Sequence, residues 1–362
     1  MKYGYVGRSN MIVSKICLGG MHFGDKTSKE ETFAILDRAF DLGINFIDTA
    51  DVYNEGRSES YIGEWLAQDK SRRDKMVIAT KFYGHLQPGE PNEEVGVSLY
   101  KCRRSLEGSL RRLQTDHVDI YQSHHIDKRI TDEEYWEMMH RNILCGKILY
   151  AGGCNSTGWS LAEQQMAAKH LGYFGLASEQ SNYSLLNRFV ELEVIPAAQR
   201  FGIGVLAFMT LAGGILSGKK KAAPGSRTEF VTREYDYDME NNAQLEAFSR
   251  LCAELGEKEN VVASAWVLHN PAVTSAIVGA RTVAHLDDVE RIVELKLPQD
   301  FLDELDKIFT YSNGRPLRPN TDAPFAYSGL GSHEDHFIQY YRNDRRLDHQ
   351  VLHLELDEGD KI

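Results

Sequence analysis

Asp48, Tyr53, Lys81 and His124 are an acid, a phenol, an amine and an imidazole, and three of them end short, largely apolar runs. Ile44 to Ile47 leads into Asp48, Val77 to Thr80 into Lys81, and Val118 to Ser123 into His124, while Tyr53 follows Asp48 by five residues. A carbonyl that accepts hydride needs a polarised C=O bond and a proton at oxygen, and a phenol can supply both. Free tyrosine, with a pKa of ~10, holds its proton at neutral pH. A neighbouring Lys81 cation is expected to lower that pKa and ease donation. Asp48 is expected to keep the lysine in place and charged, and a neutral His124 to hydrogen-bond the carbonyl and orient it. Taken singly, Asp48 and Lys81 read as a structural ion pair, Tyr53 as a packed aromatic, and His124 beside His125 as a core or rim histidine. Delivered together by successive elements, the four read as a reaction centre.

The elements that deliver them alternate in type. Short runs rich in β-branched residues are separated by longer amphipathic ones, the pattern of βα units around a parallel sheet. Eight candidate strands follow: Lys15 to Gly19, Ile44 to Asp48, Met76 to Lys81, Val118 to Gln122, Ile148 to Gly152, Gly175 to Gln180, Gly204 to Phe208 and Thr274 to Val278. Helices are expected over Lys29 to Leu42, Glu59 to Gln68, Val95 to Leu113, Thr131 to Leu144, Trp159 to His170 and Asn187 to Arg200. In the first of these, Phe33, Leu36 and Phe40, with Ala34 and Ile35 adjoining, recur near helical spacing, and Gly43 supplies the stop. Eight such units, with no GxGxxG turn after an early strand, predict an α/β fold of the (β/α)8 TIM-barrel type rather than a doubly wound sheet. In such a barrel reactive groups sit at the C-terminal ends of the strands, where Asp48, Lys81 and His124 fall.

Lys2 to Val13 reads as an N-terminal β-hairpin on the barrel floor. Lys219 to Asn241, polar and carrying Pro224 and Gly225, reads as a long loop over the barrel mouth. The expected division is a barrel over residues 1–328 and a charged C-terminal tail over residues 329–362.

Composition excludes several classes. With 42% hydrophobic and 26% charged residues the chain can fill a sizeable core, and a formal charge of −12 argues against a nucleic-acid partner. No basic segment followed by an apolar one marks the N-terminus as a secretory signal, and the longest weakly polar run, Gly202 to Gly218, is too short to span a bilayer, so a cytoplasmic protein without membrane contact is expected. Cys17, Cys102, Cys145, Cys154 and Cys252 are odd in number and include no CxxC pair, so neither a disulfide framework nor a zinc site is expected. His333, His336, His349 and His353 could gather a metal but read better as part of a solvated acidic tail, so no metal is assigned. Gly213 to Lys220 nearly matches a phosphate-binding P-loop, but Lys220 stands where the Mg-ligating hydroxyl belongs.

NFIDTADVYNEGRSE (45–59), IATKF (78–82) and DIYQSHH (119–125) closely resemble the aldo-keto reductase superfamily, and the likeness runs from about Lys2 to Phe309. SEQSNYSLLNR (178–188), GVLAFMTLAGGILSGK (204–219) and AWVLHNPAVTSAIVGART (265–282) resemble the family's cofactor-binding segments. The resemblance places the family's tetrad on Asp48, Tyr53, Lys81 and His124, and implies NADPH as cofactor, with NADH the alternative. It further implies that Asn155 and Gln180 hold the nicotinamide carboxamide, with Cys154 and Asp48 beside them, Gly20 and Met21 along the cofactor, and Phe208 stacked on the ring. Met209 and the backbone around Leu211 to Gly213, with Lys219 and Arg227, meet the pyrophosphate, and Gly279, Arg281, His285 and Asp288 face the adenosine end. A cationic Arg281 favours a 2′-phosphate.

Departures from the family pattern are Cys154 for a common serine, Phe208-Met209-Thr210 for Trp-Ser-Pro, and His285 and Val289 in the adenosine clamp, where two polar contacts are expected to change. GRSNMIVSKICLGGMHFG (7–24) and SRRDKMVIATKFYG (71–84) are similar to the bacterial branch with nucleotide-sugar ketoreductases and potassium-channel β subunits, which makes a sugar or nucleotide-sugar carbonyl a candidate substrate. A cofactor-bound regulatory or scaffold subunit with vestigial catalysis is the alternative. Oligomeric state is not readable.

Overall fold

A computed structural model describes residues 1–84, 96–127, 129–234 and 237–310. The tail over 329–362 with its four histidines lies outside the described residues, as does its boundary with the barrel.

Two short antiparallel strands, β1 (Tyr3–Tyr5) and β2 (Ile12–Ser14), form the expected hairpin. Eight parallel strands then close a barrel: β3 (Ile16–Gly19), β4 (Phe46–Asp48), β5 (Val77–Phe82), β6 (Val118–Ser123), β7 (Ile148–Cys154), β8 (Leu176–Asn182), β9 (Gly204–Phe208) and β10 (Val273–Gly279), with β10 pairing back onto β3. Each coincides with a strand expected from sequence to within two residues at either end. Around them run α1 (Lys29–Asp41), α2 (Arg57–Gln68), α3 (Lys70–Lys75), α4 (Leu99–Leu113), α5 (Asp132–Leu144), α6 (Gly158–His170), α7 (Val194–Phe201), α8 (Arg227–Glu234), α9 (Ala243–Leu255), α10 (Glu259–His269), α11 (Val289–Glu294) and α12 (Gln299–Ile308).

The barrel interior is layered by the strand period of two. Cys17, Phe46, Ala79, Ile120, Ala177 and Leu206 make one apolar layer, closed from below by Val6 and Val13 of the hairpin segment, all fully buried. Two residues further along the same strands stand Asp48, Lys81, Gln122 and Phe208. The apolar layer thus forms a dry floor for a polar one at the C-terminal ends, and the hairpin seals it.

Four helical expectations change. The helix expected over Val95 to Leu113 begins at Leu99, capped by Ser98, whose side chain accepts from the Lys101 N–H, and Val95 lies outside the described residues. On α1 the buried face is Thr32, Ile35, Leu36 and Ala39, at i, i+3, i+4 and i+7, so Ala34 faces solvent and Phe33 and Phe40 flank the contact. The helix expected over Asn187 to Arg200 is a short turn at Phe189–Glu191 followed by α7 from Val194. Pro196 explains the break: it lacks a backbone N–H and fits only the first helical turn, so the helix must begin just before it. The loop expected over Lys219 to Asn241 contains α8. There Ser226 Oγ accepts from Glu229 N–H at 3.1 Å, Thr228 Oγ1 donates to the Gly213 carbonyl at 2.9 Å, and buried Val231 packs on Gly213. The Ser226-x-x-Glu229 spacing is a helix-start signal in its own right.

α2 and α4 pack backbone to backbone at Gly63. A Cβ added at Gly63 would lie 2.1 Å from the Arg112 carbonyl oxygen and 2.6 Å from the Leu113 carbonyl carbon, both backbone atoms that cannot turn aside. Gly63→Ala is therefore expected to push the two helices apart and lower the urea-unfolding free energy by at least ~1–3 kcal/mol, the usual cost of overpacking. An unchanged denaturation midpoint would contradict this packing.

Candidate active site

The polar layer converges on one ion pair. Lys81, fully buried on β5, donates from Nζ to Asp48 Oδ2 on β4 at 2.6 Å and to the Thr49 carbonyl at 3.0 Å. The other carboxylate oxygen, Oδ1, accepts from Gln122 Nε2 on β6 at 3.1 Å and from Gln180 Nε2 on β8 at 2.8 Å. Both oxygens are thus satisfied, which is what allows a buried ion pair to stay ionised. Burial is the largest single effect and opposes charge on Lys81, but Asp48, Tyr53, Cys154 and the hydrogen bond to Asp48 together hold the ammonium well above the ordinary lysine range.

The third Lys81 partner is the Tyr53 hydroxyl, at 3.2 Å from Nζ. Tyr53 opens a short 3-10 turn, Tyr53–Gly56, between β4 and α2. Its ring meets that of His124 edge-on, with centroids 5.8 Å apart. All four residues expected to form the centre are therefore in one place. One electrostatic expectation needs correction: the Tyr53 pKa is raised, not lowered. Burial is the larger effect, Asp48 adds to it, and the Lys81 cation offsets only part. The phenol is therefore held in its protonated form. His124 is pushed well below the ordinary imidazole range, by burial first and then by Lys81 and His125, so it is neutral near pH 7.

Of the residues named for a cofactor, Asn155, Cys154, Gln180 and Gly20 are bonded to this centre or to one another. Asn155, with φ 59°, donates Nδ2 to the His124 carbonyl at 3.0 Å, while its Oδ1 is buried and receives no hydrogen bond among the described residues. An acceptor so placed fits a carboxamide N–H, the group a nicotinamide presents. Gln180 gives its N–H to Asp48, and Cys154 Sγ stands 3.9 Å from Gln180 Oε1. Gly20 donates its N–H to the Asp48 carbonyl at 2.7 Å, and Met21 beside it is exposed. After β9, which ends at Phe208, the chain takes left-handed conformations at Met209 (φ 59°), Ala212 (φ 48°) and Gly213 (φ 70°), and the Gly214 N–H donates to the Leu211 carbonyl.

A cationic group lies beyond Gly279. His22 and His285 are both held below the ordinary imidazole range, by burial first and then by nearby cations: Arg281 and Arg227 act on His22 against an opposing Asp25, and Arg281 and Lys219 act on His285 against a Thr282 backbone bond. His285 Nδ1 pairs with Thr282 Oγ1 at 2.8 Å, Val289 is fully buried and offers no polar contact, and Asp288 is engaged by Lys258 Nζ at 2.7 Å and Asn260 Nδ2 at 3.0 Å.

Sequence reasoning missed His22, Gln122 and Glu179. Gln122 was detectable as a polar residue two positions after inward-facing Ile120. His22 lies between Met21 and Phe23 with no periodic signal. Glu179 is fully buried on β8, where its Oε1 accepts from the Ser156 N–H at 2.8 Å and so holds the turn carrying Asn155. Among the described residues, no group of three or more His, Cys, Asp or Glu is placed to hold a metal ion, and no helix is long and apolar enough to cross a membrane.

A (β/α)8 barrel that presents a phenol, a lysine–aspartate pair and a neutral imidazole at its C-terminal mouth defines a carbonyl-reducing oxidoreductase. The model of the aldo/keto reductase family matches residues 15–309, and the chain belongs to that family, whose members are NAD(P)H-dependent oxidoreductases. It is 46% identical over 335 residues to the uncharacterized oxidoreductase YrpG of Bacillus subtilis, covering 91% of this chain and all of that one. It is 32% identical to the aryl-alcohol dehydrogenase GME11368 of Pestalotiopsis microspora, over 84% of this chain and 81% of the relative. It is 29% identical to an aryl-alcohol dehydrogenase [NADP(+)] of Phanerodontia chrysosporium, over 84% of each chain.

Two predictions follow from the buried charges. Asp48→Asn leaves Lys81 buried without a counter-ion and is expected to cost ~3–5 kcal/mol in urea unfolding. Asp48→Asn combined with Lys81→Met should cost less than the single change, and a larger cost for the pair would contradict the assignment.

Burial also raises the Glu179 carboxyl from 4.5 to about 7. Because the folded pKa is the higher one, Glu179 favours folding most below about pH 4.5, and that contribution is lost as pH rises through about 7. Measured against Glu179→Gln, the wild-type protein should therefore lose up to roughly 3 kcal/mol of unfolding free energy between pH 5 and pH 8. A constant difference between the two proteins would contradict it.

Proposed function

We propose that the protein reduces an aldehyde or ketone to an alcohol with NADPH, Tyr53 donating the proton. The observation that carries this reading is the Tyr53 hydroxyl at 3.2 Å from a lysine that is itself paired with Asp48. When bound, the cofactor supplies the hydride. Asn155 Oδ1 and Gln180 Oε1 would receive its carboxamide, and His22, Arg227, Arg281, His285 and Lys219 its phosphates, which supports a 2′-phosphorylated cofactor over NADH.

In this reading neutral His124 and Tyr53 hydrogen-bond the carbonyl oxygen and set the exposed carbon toward the hydride source. As negative charge grows on that oxygen, the phenol proton moves to it. The Lys81 ammonium stabilises the phenolate left behind, and Asp48 keeps the lysine charged throughout. The raised phenol pKa suits this order of events: the proton stays on Tyr53 until the oxygen beside it becomes basic.

For substrate, the names of the relatives favour aromatic aldehydes, and the sequence likeness noted above keeps sugar carbonyls in the set to be tested. Purified protein should oxidise NADPH in the presence of a member of a panel of aryl aldehydes, aliphatic aldehydes and sugar carbonyls. Lys81→Met should lower that turnover by ~10²–10⁴-fold, the range for losing acid–base function. Absence of turnover across the panel, or full activity of Lys81→Met, would overturn the reading. Negligible turnover with a copurifying partner would favour the regulatory subunit instead.

A further inference from the structure

Tyr53 sits at the start of a turn whose backbone is unusual. Asn54 (φ 51°, ψ 46°), Glu55 (φ 59°, ψ 34°) and Gly56 (φ 82°, ψ 0°) are three successive residues in the left-handed region, two of them with side chains. Such a run does not hold itself, since the region is disfavoured for L residues and asparagine merely tolerates it better than most. The Tyr53 N–H reaches the Ala50 carbonyl at 3.2 Å and the Glu55 N–H the Val52 carbonyl at 3.3 Å, both long, and the Arg57 N–H at the start of α2 closes the turn onto the Asn54 and Tyr53 carbonyls. The Glu55 side chain is exposed.

The holding contacts come from outside the turn. Asn54 Nδ2 donates one proton to the Met21 carbonyl at 2.9 Å and the other to the Phe23 carbonyl at 2.7 Å. The loop that offers those carbonyls is itself fixed. Phe23 is fully buried, Gly20 is tied to the Asp48 carbonyl, and Ser58 Oγ donates to the Gly20 carbonyl at 2.8 Å. On the other side the Arg112 side chain fills the space beside Gly56, where an added Cβ would lie 2.6 Å from Arg112 Cδ. Arg112 Nε is bound to buried Glu59 at 2.7 Å.

We propose that Asn54 is a positioning residue, clamping the catalytic turn to the loop after β3 so that the Tyr53 phenol is held against Lys81 and in register with the cofactor-side residues Gly20 and Met21. The proposal rests on the carbonyl-reductase reading above. A one-residue lever is short. Release of the amide lets the turn relax, and a proton donor displaced by about 1 Å can lose on the order of 10²-fold in rate.

Two variants test it. Asn54→Gly accepts the left-handed backbone without strain but has no clamp, and Asn54→Asp keeps the side-chain shape but cannot donate to the two carbonyls. Both are expected to lower kcat for carbonyl reduction by about 10–100-fold. Amide hydrogen exchange over residues 52–57 should accelerate, while the barrel strands stay protected. In a Tyr53→Phe background Asn54→Gly should cause no further loss of residual turnover, because it acts through the tyrosine.

The proposal is overturned if kcat stays within about twofold of wild type, if exchange over 52–57 is unchanged, or if the two substitutions reduce turnover independently. Wild-type protein without turnover would instead reject the reaction itself, and the catalytic role of the clamp with it. Exchange over 52–57 would still report whether the amide holds the turn.

Discussion

A lysine and an aspartate fully removed from water on neighbouring strands set the terms for everything else at the mouth of this barrel. Their mutual attraction stabilises charge only because the remaining polar valences are met: the Thr49 carbonyl accepts from the ammonium, and the carboxylate accepts from Gln122 on β6 and from Gln180 on β8, across the barrel. Were one of these lost, the low polarity that strengthens the pair would penalise it instead. The barrel meets this demand through its layers. An apolar floor, sealed by the hairpin, excludes water from beneath, and the next inward residues along the same strands bring the polar groups to one level.

That arrangement gives neighbouring groups different tasks. Fully buried Lys81 stays charged, while at the half-buried Tyr53 and His124 partial removal from water raises the phenol pKa and lowers that of the imidazole, because each effect depends on which form is charged and on what stands beside it. The result is a phenol that retains its proton next to a cation able to stabilise its conjugate base. The turn carrying that phenol is anchored to the loop after β3 and braced by Arg112, so Tyr53 and the loop of Gly20 to Phe23 are mechanically joined. Asn155, bonded to the His124 backbone, extends the same connection to the other side of the mouth.

Much of this was legible in the sequence, and for identifiable reasons. Strands buried on both faces show as short, largely apolar β-branched runs, so all eight strands and the placement of Asp48, Lys81 and His124 at their ends could be read locally. The contacts that complete the ion pair could not. Gln122 and Gln180 lie 74 and 132 residues from Asp48, and which inward side chain faces which is fixed only when the barrel closes. The direction of the Tyr53 shift was misjudged for a related reason: sequence names the cation beside the phenol but not the degree of burial that outweighs it. Two helices were misread although their signals were present, α7 through Pro196 and α8 through Ser226 and Glu229. Few apolar residues in the segment around α8 hid its capping signal.

The central claim is that the buried pair exists to hold and discharge the Tyr53 proton. Comparing kcat of Tyr53→Phe with wild type on one reducible carbonyl, with the NADPH dissociation constant measured by fluorescence on the same samples, tests it most directly. The account predicts a loss of at least ~10²-fold in kcat with cofactor affinity little changed. Wild-type kcat in Tyr53→Phe would contradict it.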